Sequence, residues 1–589
     1  MTNCNFINNT VTNGNGGGIH WSTNAINGKL SNSNFINNTA SNYGAGISWY
    51  GANGTIIDSN FASNYVKNNG GGVYWWGANG TLTGSNFTDN SADSIGGGVR
   101  WYGANGTLTD SIFTNNTSNG NGGGVYFTGV NSILTGSIFI NNVAKNGNGG
   151  GIFWNGDNGT LSGSTFINNK GNIGGGVRWL GINGTVTSCI FNSNTATNSN
   201  GGAIHWGGAN GTVTDSTFTD NYANAGGAVF WNGANSTMFD CNFINNFGNY
   251  GSNVYWSWTI DDFLNKYAQI NDYDYVLILR NGVGTPSNTI NLNRKGITIS
   301  SQGNVTFDAK GGNLHFEVTG DNVLIEKITF RNFNFTGSGG AMNWTGNNGI
   351  LKNCNFINNT GVSGGSIFWN GFNGTLTDCT FLGNTATYAS TINWWGTNGR
   401  ITGCTFTKNV ARGDGCVLWY GATGSITSST FTNNTATHGG AVNWWGTNGR
   451  ITGCTFTKNV ARGDGGAINW ASATGSITDS IFTDNTAGVN GGAINWQNTG
   501  LIINCTFNSK YTKSNGIYAR KNLTVNDGKG IVDIVTQGTL SGISTIVLNN
   551  ETYYYPPNSN INLPTKTKIL KIKRDRIINS KYHYHVRNR

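Results

Sequence analysis

Phenylalanine returns about every 25 residues along most of this chain. The first series runs Phe6, Phe35, Phe61, Phe87, Phe113, Phe139, Phe166, Phe191, Phe218, Phe243. A second runs Phe330, Phe356, Phe381, Phe406, Phe431, Phe456, Phe482, Phe507. After a first step of 29 residues, every step within a series is 25 to 27. A unit this short cannot bury its apolar face alone, so each copy must bury it against the next. The 589 residues therefore extend a stack instead of dividing into several globular cores.

The coil around Phe113 shows how one repeat is built. Gly97-Gly98 leads into Val99-Arg100-Trp101-Tyr102, where Val99 and Trp101 share one face and Arg100 and Tyr102 the other. Gly103-Ala104-Asn105-Gly106 turns the chain. Thr107-Leu108-Thr109 is a second short strand with Leu108 inward, Asp110 marks a bend, and Ser111-Ile112-Phe113 is a third. Three short strands and three turns per coil describe an all-β, three-sided parallel β-helix. No segment sustains the 3.6-residue apolar period of helical repeats.

Stacking then predicts columns of like residues. Phe forms one, Trp (Trp75, Trp101, Trp154 and their equivalents, with Phe127 in one coil) a second, and the Asn three places after Phe (Asn90, Asn116, Asn142) a third. Stacked amides can hydrogen-bond from coil to coil. Eight of nine cysteines occupy one slot, two residues before Phe, where most other coils carry Ser. Poor in-line disulfide geometry favours free buried thiols there, and no Cys/His cluster indicates zinc. No cofactor or metal is expected.

Composition suits this architecture: 92 Gly, 4 Pro and 10% charged residues, with 30 Phe, 21 Tyr and 20 Trp to build a core. The net charge of +9 is concentrated in residues 565–589, which hold nine basic side chains (Lys566, Lys568, Lys571, Lys573, Arg574, Arg576, Lys581, Arg587, Arg589) against Asp575. The body is near neutral, which argues against a nucleic-acid partner; the tail is either solvated or a contact for a polyanion. No apolar run is long enough for a transmembrane helix, so no membrane insertion is expected. Met1 begins inside a repeat, without a readable signal peptide or cap, so the expectation is a fragment, a truncated gene product or a segment of a longer surface protein.

The period breaks at 257–320. Thr259 to Ala268 reads as a short amphipathic helix, followed by strand-like runs. Three regions result: a first β-helix block at 1–258, a second at 259–525 opened by the helix and irregular coils, and a partial β region with the basic tail at 526–589. Trp394 to Gly415 recurs unchanged as Trp444 to Gly465, so coil number is loosely constrained.

Gly-Gly-Ala-Ile/Val paired with Phe-x-x-Asn, as in Gly201-Gly202-Ala203-Ile204, Gly226-Gly227-Ala228-Val229 and Gly465-Gly466-Ala467-Ile468, resembles the repeat of polymorphic outer-membrane proteins. The Asn- and Thr-rich version looks most like adhesin-like surface proteins of methanogenic archaea. The resemblance implies a right-handed β-helix, extracellular or cell-surface display and an adhesive role; residues 526–589 resemble the start of an immunoglobulin-like stalk. The C-terminal translocator barrel of the bacterial family has no counterpart here.

Acids are sparse. Asp215 and Asp240, equivalent in neighbouring coils, are the best pair for a polysaccharide lyase or hydrolase, but two carboxylates fall short of a calcium site. Binding is better supported. The outward position between the inward aliphatic and Trp carries Tyr74, Arg100, Tyr126, Phe153, Arg178, His205, Phe230 and Tyr255, expected as an exposed stripe for sugar stacking and hydrogen bonding. Strand propensity alone also places such residues there. Arg412-Gly413-Asp414 and Arg462-Gly463-Asp464 match an integrin-binding tripeptide, and sequons such as Asn53-Gly54-Thr55 recur. The expected function is a non-enzymatic adhesin-like protein that binds glycans or neighbouring cells; the alternatives are a spacer without ligand and a polysaccharide-active enzyme.

Overall fold

The computed structural model describes residues 1–234, 236–266, 275–472, 474–508 and 516–526, with six strand segments between 529 and 572. It comprises two compact units, Met1–Leu279 and Arg280–Arg589. The division falls after residue 258 because Val254–Trp258 pairs with the strand that starts at Tyr275. The helix Ile260–Lys266 thus lies in the first unit. Tyr267 and Ala268, also expected to be helical, lie outside the described residues.

Within each unit the repeating strands pair in parallel with their equivalents one coil on. Around Phe113 they are Val99–Trp101, Thr107–Thr109 and Ile112–Thr114. Register sets like on like: Val73 on Val99, Trp75 on Trp101, Leu82 on Leu108, Phe87 on Phe113. A fourth strand of two residues, Thr117–Ser118, follows the Asn column and was legible only as a turn. Its equivalents form a ten-stranded parallel sheet in the first unit and a six-stranded one in the second.

The turns explain the abundance of Asn, Asp and Gly. Asn105, Asp110 and Asn115 adopt φ of 52°, 49° and 55°, the left-handed region that Asn and Asp tolerate best among non-glycine residues. Gly106 is needed for space: a Cβ there would lie 2.3 Å from Nε1 of Trp101. The Asn-Gly-Thr triplets thus have a folding reason in each residue, with Asn for the bend, Gly beneath the indole and Thr to open a strand.

The core is a set of ladders. Val99, Trp101, Leu108 and Phe113 are fully buried. Phe87 and Phe113 stack at 4.7 Å and 6°, Trp75 and Trp101 at 4.6 Å and 3°. Such pairs add about 0.5–1.5 kcal/mol each beyond area burial. The buried Asn column is hydrogen-bonded throughout its length. Asn116 Nδ2 donates to Asn142 Oδ1 (3.0 Å) and to the Phe87 carbonyl (2.9 Å), and its Oδ1 accepts from Asn90 N (3.1 Å) and Asn90 Nδ2 (3.0 Å). Asn409 repeats the pattern in the second unit.

The cysteines are free thiols, all buried except Cys4. Cys189 Sγ donates to the Thr187 carbonyl at 3.2 Å, as Ser85 Oγ does to Thr83 at 3.0 Å, so exchanging Ser and Cys preserves the local bond. Burial pushes Cys454 and Cys241 up to about 11 and Cys189 and Cys505 up to about 12. A folded pKa raised above the unfolded one contributes stability that is complete below the unfolded pKa and lost as pH rises through the folded one. Urea midpoints should therefore be flat to about pH 8.5 and fall between about pH 9 and 12, by up to about 1.4 kcal/mol per unit for each thiol. Urea titrations at pH 8, 9.5 and 11 check this. Cys189→Ser should flatten part of the fall, and an unchanged slope in that variant would refute the assignment.

The second unit opens with long strands, including Thr298–Asp308, where Asp308 pairs with Arg331 at 2.9 Å. Near its end, pairing becomes antiparallel: Thr545–Leu548 with Glu551–Tyr554, and Lys529–Thr536 with Leu570–Ile572. Apart from Lys571, the basic residues of the tail lie outside the described residues, as does most of the region resembling an immunoglobulin-like stalk.

Candidate functional site

In the first unit the eight outward residues of the Trp-bearing strands stand in unbroken register, Tyr74 on Arg100, then Tyr126, Phe153, Arg178, His205, Phe230 and Tyr255. Alternation along the strand brings them together as expected. The expected exposure is not found. Tyr74, Arg100, Phe153 and His205 are only 5–7% exposed, and the other four are half-buried. Alternation decides which side of the sheet a residue takes, not what else covers that side. Tyr43, from the preceding connection, stacks on Tyr74 at 4.6 Å, and Tyr50 and Trp76 flank it at 5.9 and 6.3 Å.

Along the column each group covers the next. Tyr126 stacks on Phe153 at 4.7 Å, His205 lies 4.6 Å from Phe230, and Phe230 stacks on Tyr255 at 4.7 Å. The Arg100 guanidinium lies 4.3 Å from the Tyr126 ring centre, and its Nη1 donates to the Trp101 carbonyl (3.1 Å) and Thr128 Oγ1 (3.0 Å). Arg178 Nη1 contacts His205 Nδ1. Burial pushes Tyr74 up to about 12 and Arg178 down to about 10, and lowers Arg100 as well. The second unit fills the same position mostly with amides: Asn393, Asn469 and Asn495 are buried, as is Leu418 between them, and Asn495 Nδ2 donates to Asn469 Oδ1 at 2.6 Å.

The open aromatic surface lies one residue further on. After each inward Trp the chain turns a corner, and twice three successive coils place an aromatic there. In the first unit these are Tyr50, half-buried, then Trp76 and Tyr102, 41% and 45% exposed. Trp76 and Tyr102 stack at 4.1 Å and 4°. In the second unit they are Trp395, Tyr420 and Trp445, 48%, 37% and 47% exposed, with ring centres 4.5 and 6.3 Å apart. The signal in the chain was the paired aromatics Trp75-Trp76, Trp101-Tyr102, Trp394-Trp395, Trp419-Tyr420 and Trp444-Trp445. A ring next to an inward ring must point away from the core. Exposed rings with hydroxyl or indole N–H groups offer apolar contact and hydrogen bonding together.

Asp215 and Asp240 are exposed at turn tips with φ of 51° and 53°, so the bend itself accounts for both. Among the described residues no group of three or more His, Cys, Asp or Glu could hold a metal ion. Asp464, in one Arg-Gly-Asp copy, is tied into its loop: its Oδ1 accepts from Asn490 N (3.1 Å), and its backbone N–H donates to His438 Nδ1 (3.2 Å). The sequon residues Asn53, Asn79 and Asn105 are exposed and join in an outer amide ladder at 3.0 Å. No described helix is long and apolar enough to cross a membrane.

Residues 150–310 and 278–436 match the right-handed β-helix region, and residues 110–128, 453–469 and 479–495 match the Chlamydia polymorphic membrane protein repeat. No curated protein matches the chain. Among solved structures, the catalytic domain of a GH87 alpha-1,3-glucanase in complex with nigerose is 13% identical at a TM-score of 0.31, over 48% of this chain and 63% of that one. This chain thus spans less than two thirds of that domain. The tailspike protein of E. coli bacteriophage HK620, in complex with a pentasaccharide, is 10% identical over 92% and 86% at a TM-score of 0.21. PfbA, a surface adhesin of Streptococcus pneumoniae, is 13% identical over 81% and 91% at a TM-score of 0.13. Likeness this low says nothing of activity. Stacked coils, repeat motif and family match together make this chain a right-handed parallel β-helix that carries polymorphic membrane protein repeats.

Proposed function

We propose that this protein is a non-catalytic, surface-displayed β-helix that binds glycans through its aromatic corners, in the manner of an adhesin. The observation that carries the reading is the pair of three-coil aromatic runs, Tyr50–Trp76–Tyr102 and Trp395–Tyr420–Trp445, at one corner of the repeat, with five of the six rings 37–48% exposed. Contiguous exposed aromatics on a chain with so large a buried core mark a binding surface. The polymorphic membrane protein repeat supports display at the cell surface. The finer likeness, to adhesin-like proteins of methanogenic archaea, belongs to this proposal.

Glycan-array binding by the intact chain tests it. The double substitution Trp76→Ala plus Tyr102→Ala should cut binding about 5- to 150-fold, about 1–3 kcal/mol for two rings. The unfolding midpoint should fall only a little, since the rings are 41% and 45% exposed and give up mainly their contact with each other and with Tyr74. Tyr74→Ala plus Tyr126→Ala should instead lower the midpoint, because those rings fill the seam. Binding that survives loss of both corner aromatics sinks the reading. A spacer without ligand is the second reading; the unchanged recurrence of Trp394–Gly415 as Trp444–Gly465 favours it, and no binding across the array would support it.

A further inference from the structure

Asp414 and Asp464 occupy the same place in the two copies of the duplicated segment, yet their carboxylates stand differently. Asp464 is tied down, since its Oδ1 accepts from Asn490 N (3.1 Å). The Asp414 carboxylate is half-buried and, among the described residues, makes no hydrogen bond or ion pair. The two copies diverge just past the duplication. Gly465 is followed by Gly466-Ala467-Ile468, but Gly415 by Cys416-Val417, so the connection after Asp414 is one residue shorter before the inward aliphatic. Burial holds the Asp414 carboxyl above the usual range, with His438 pulling the other way. His438 forms no ion pair with it, and its Nδ1 is engaged by the Asp464 N–H (3.2 Å). Arg412, two residues back, is exposed and makes none either. A carboxylate partly withdrawn from water and left unpaired is costly until a cation reaches it.

Asp414 borders the aromatic corner of its own unit. Burial and the Asp414 charge together push the Tyr420 phenol up, which sets the carboxylate near that ring. Tyr420 lies between Trp395 and Trp445, its ring centre 4.5 and 6.3 Å from theirs. All three rings are open to solvent, and Asp414 keeps part of its surface there too, so a ligand reaches the four groups without any opening of the coil. In the first unit the place before the left-handed glycine (Gly44, φ 57°; Gly415, φ 67°) holds Tyr43 instead, which stacks on Tyr74. The unpaired carboxylate is therefore a feature of the second corner.

We infer that the aromatic corner of the second unit takes an amino sugar, with the rings of Trp395, Tyr420 and Trp445 against the apolar face of the sugar and the Asp414 carboxylate accepting N–H bonds from its protonated amine. An ammonium group suits this patch on two counts. Its bond to a carboxylate is charge-assisted, and the face of an indole attracts cations. An N-acetylated sugar keeps the ring contact and loses the charge. The inference rests on the glycan-binding reading and names the ligand class of one of its two corners.

Titration calorimetry on the full chain tests this with two probes of one backbone, an oligoglucosamine and its fully N-acetylated counterpart of equal length. The free amine should bind at least about fivefold more tightly, and the difference should shrink as salt is raised. Asp414→Asn should remove most of that preference while the affinity for the N-acetylated form and the unfolding midpoint stay level. Asp464→Asn should keep the preference, because that carboxylate already serves its own loop. Trp395→Ala plus Trp445→Ala should weaken both forms alike. Equal affinity for the two oligomers, a preference that survives Asp414→Asn, or affinities untouched by loss of both indoles would overturn this inference and leave glycan binding elsewhere standing. Binding of neither oligomer, combined with an empty glycan array, would overturn both readings. If Asp414→Asn fails to fold, the comparison of amine with N-acetyl and its salt dependence on the unaltered chain decide.

Discussion

Trp101→Ala should lower the unfolding free energy by about 3–5 kcal/mol, the range for truncating a large buried aromatic. Trp101 is fully buried, stacks on Trp75 at 4.6 Å, lies 5.7 Å from Phe127 at a tilt of 34°, and donates its indole N–H to the Gly103 carbonyl at 3.1 Å. The cavity has little means of closing. Parallel ladders above and below hold the coil spacing, and a Cβ on Gly103 would already lie 1.9 Å from the Gly77 carbonyl oxygen, so the backbones are in close contact. Because each coil is coupled chiefly to its two neighbours, the damage should appear as a local weak point. Limited proteolysis should nick the chain near the 103–106 turn at a denaturant concentration that leaves the parent intact. Trp101→Phe should cost much less, since Phe127 fills the same column one coil on. Urea unfolding followed by circular dichroism measures the difference, and a loss below about 1 kcal/mol for the alanine variant would contradict a load-carrying Trp column.

Asn116→Ala should cost nearly as much, about 3 kcal/mol, for a different reason. The side chain is fully buried and makes four hydrogen bonds to its neighbours above and below. Its removal leaves the Asn90 backbone N–H without its acceptor in a dry interior, takes one of the two bonds of Asn90 Nδ2 (the one to the Phe61 carbonyl stays) and one donor from the Phe87 carbonyl. Each buried polar group left without a partner costs roughly 1–3 kcal/mol. An exposed amide such as Asn105, which belongs to the outer ladder, is the control: Asn105→Ala loses only a solvated bond and the left-handed preference of its turn. Hydrogen exchange of the Asn90 and Asn142 amides should accelerate in Asn116→Ala and stay slow in Asn105→Ala. Equal exchange in the two variants would show that the inner ladder carries no special weight.

Much of this could be read from the chain because repetition removes ambiguity. Phe113 taken alone is an aromatic in a polar segment; with equivalents at steady spacing it can only be a rung. The same holds for Asn116, whose burial would be implausible for an isolated amide but follows once each Asn can bond the one above. The Ser and Cys slot was legible for that reason too, as both side chains make the same bond to a carbonyl two residues back. Where repetition stops, legibility stops with it. The strand Thr117–Ser118 is two residues long and too short to show a pattern of its own. The boundary between the units depends on the pairing of Val254–Trp258 with Tyr275–Leu279, a long-range choice with no local mark.

The candidate site divides along the same line. Period, strand alternation and turn residues determine by themselves that Tyr74, Arg100 and Arg178 share a column on the outer side of one sheet, because side-chain direction follows from backbone geometry two residues at a time. Whether that column meets water was decided only in three dimensions. Tyr43 arrives from the connection before the strand and stacks on Tyr74 at 4.6 Å, while Trp76 and Tyr102, one residue past the inward Trp, stay 41% and 45% exposed. Exposure is a property of everything that packs nearby, so it is settled by tertiary structure and not by the strand that carries the residue.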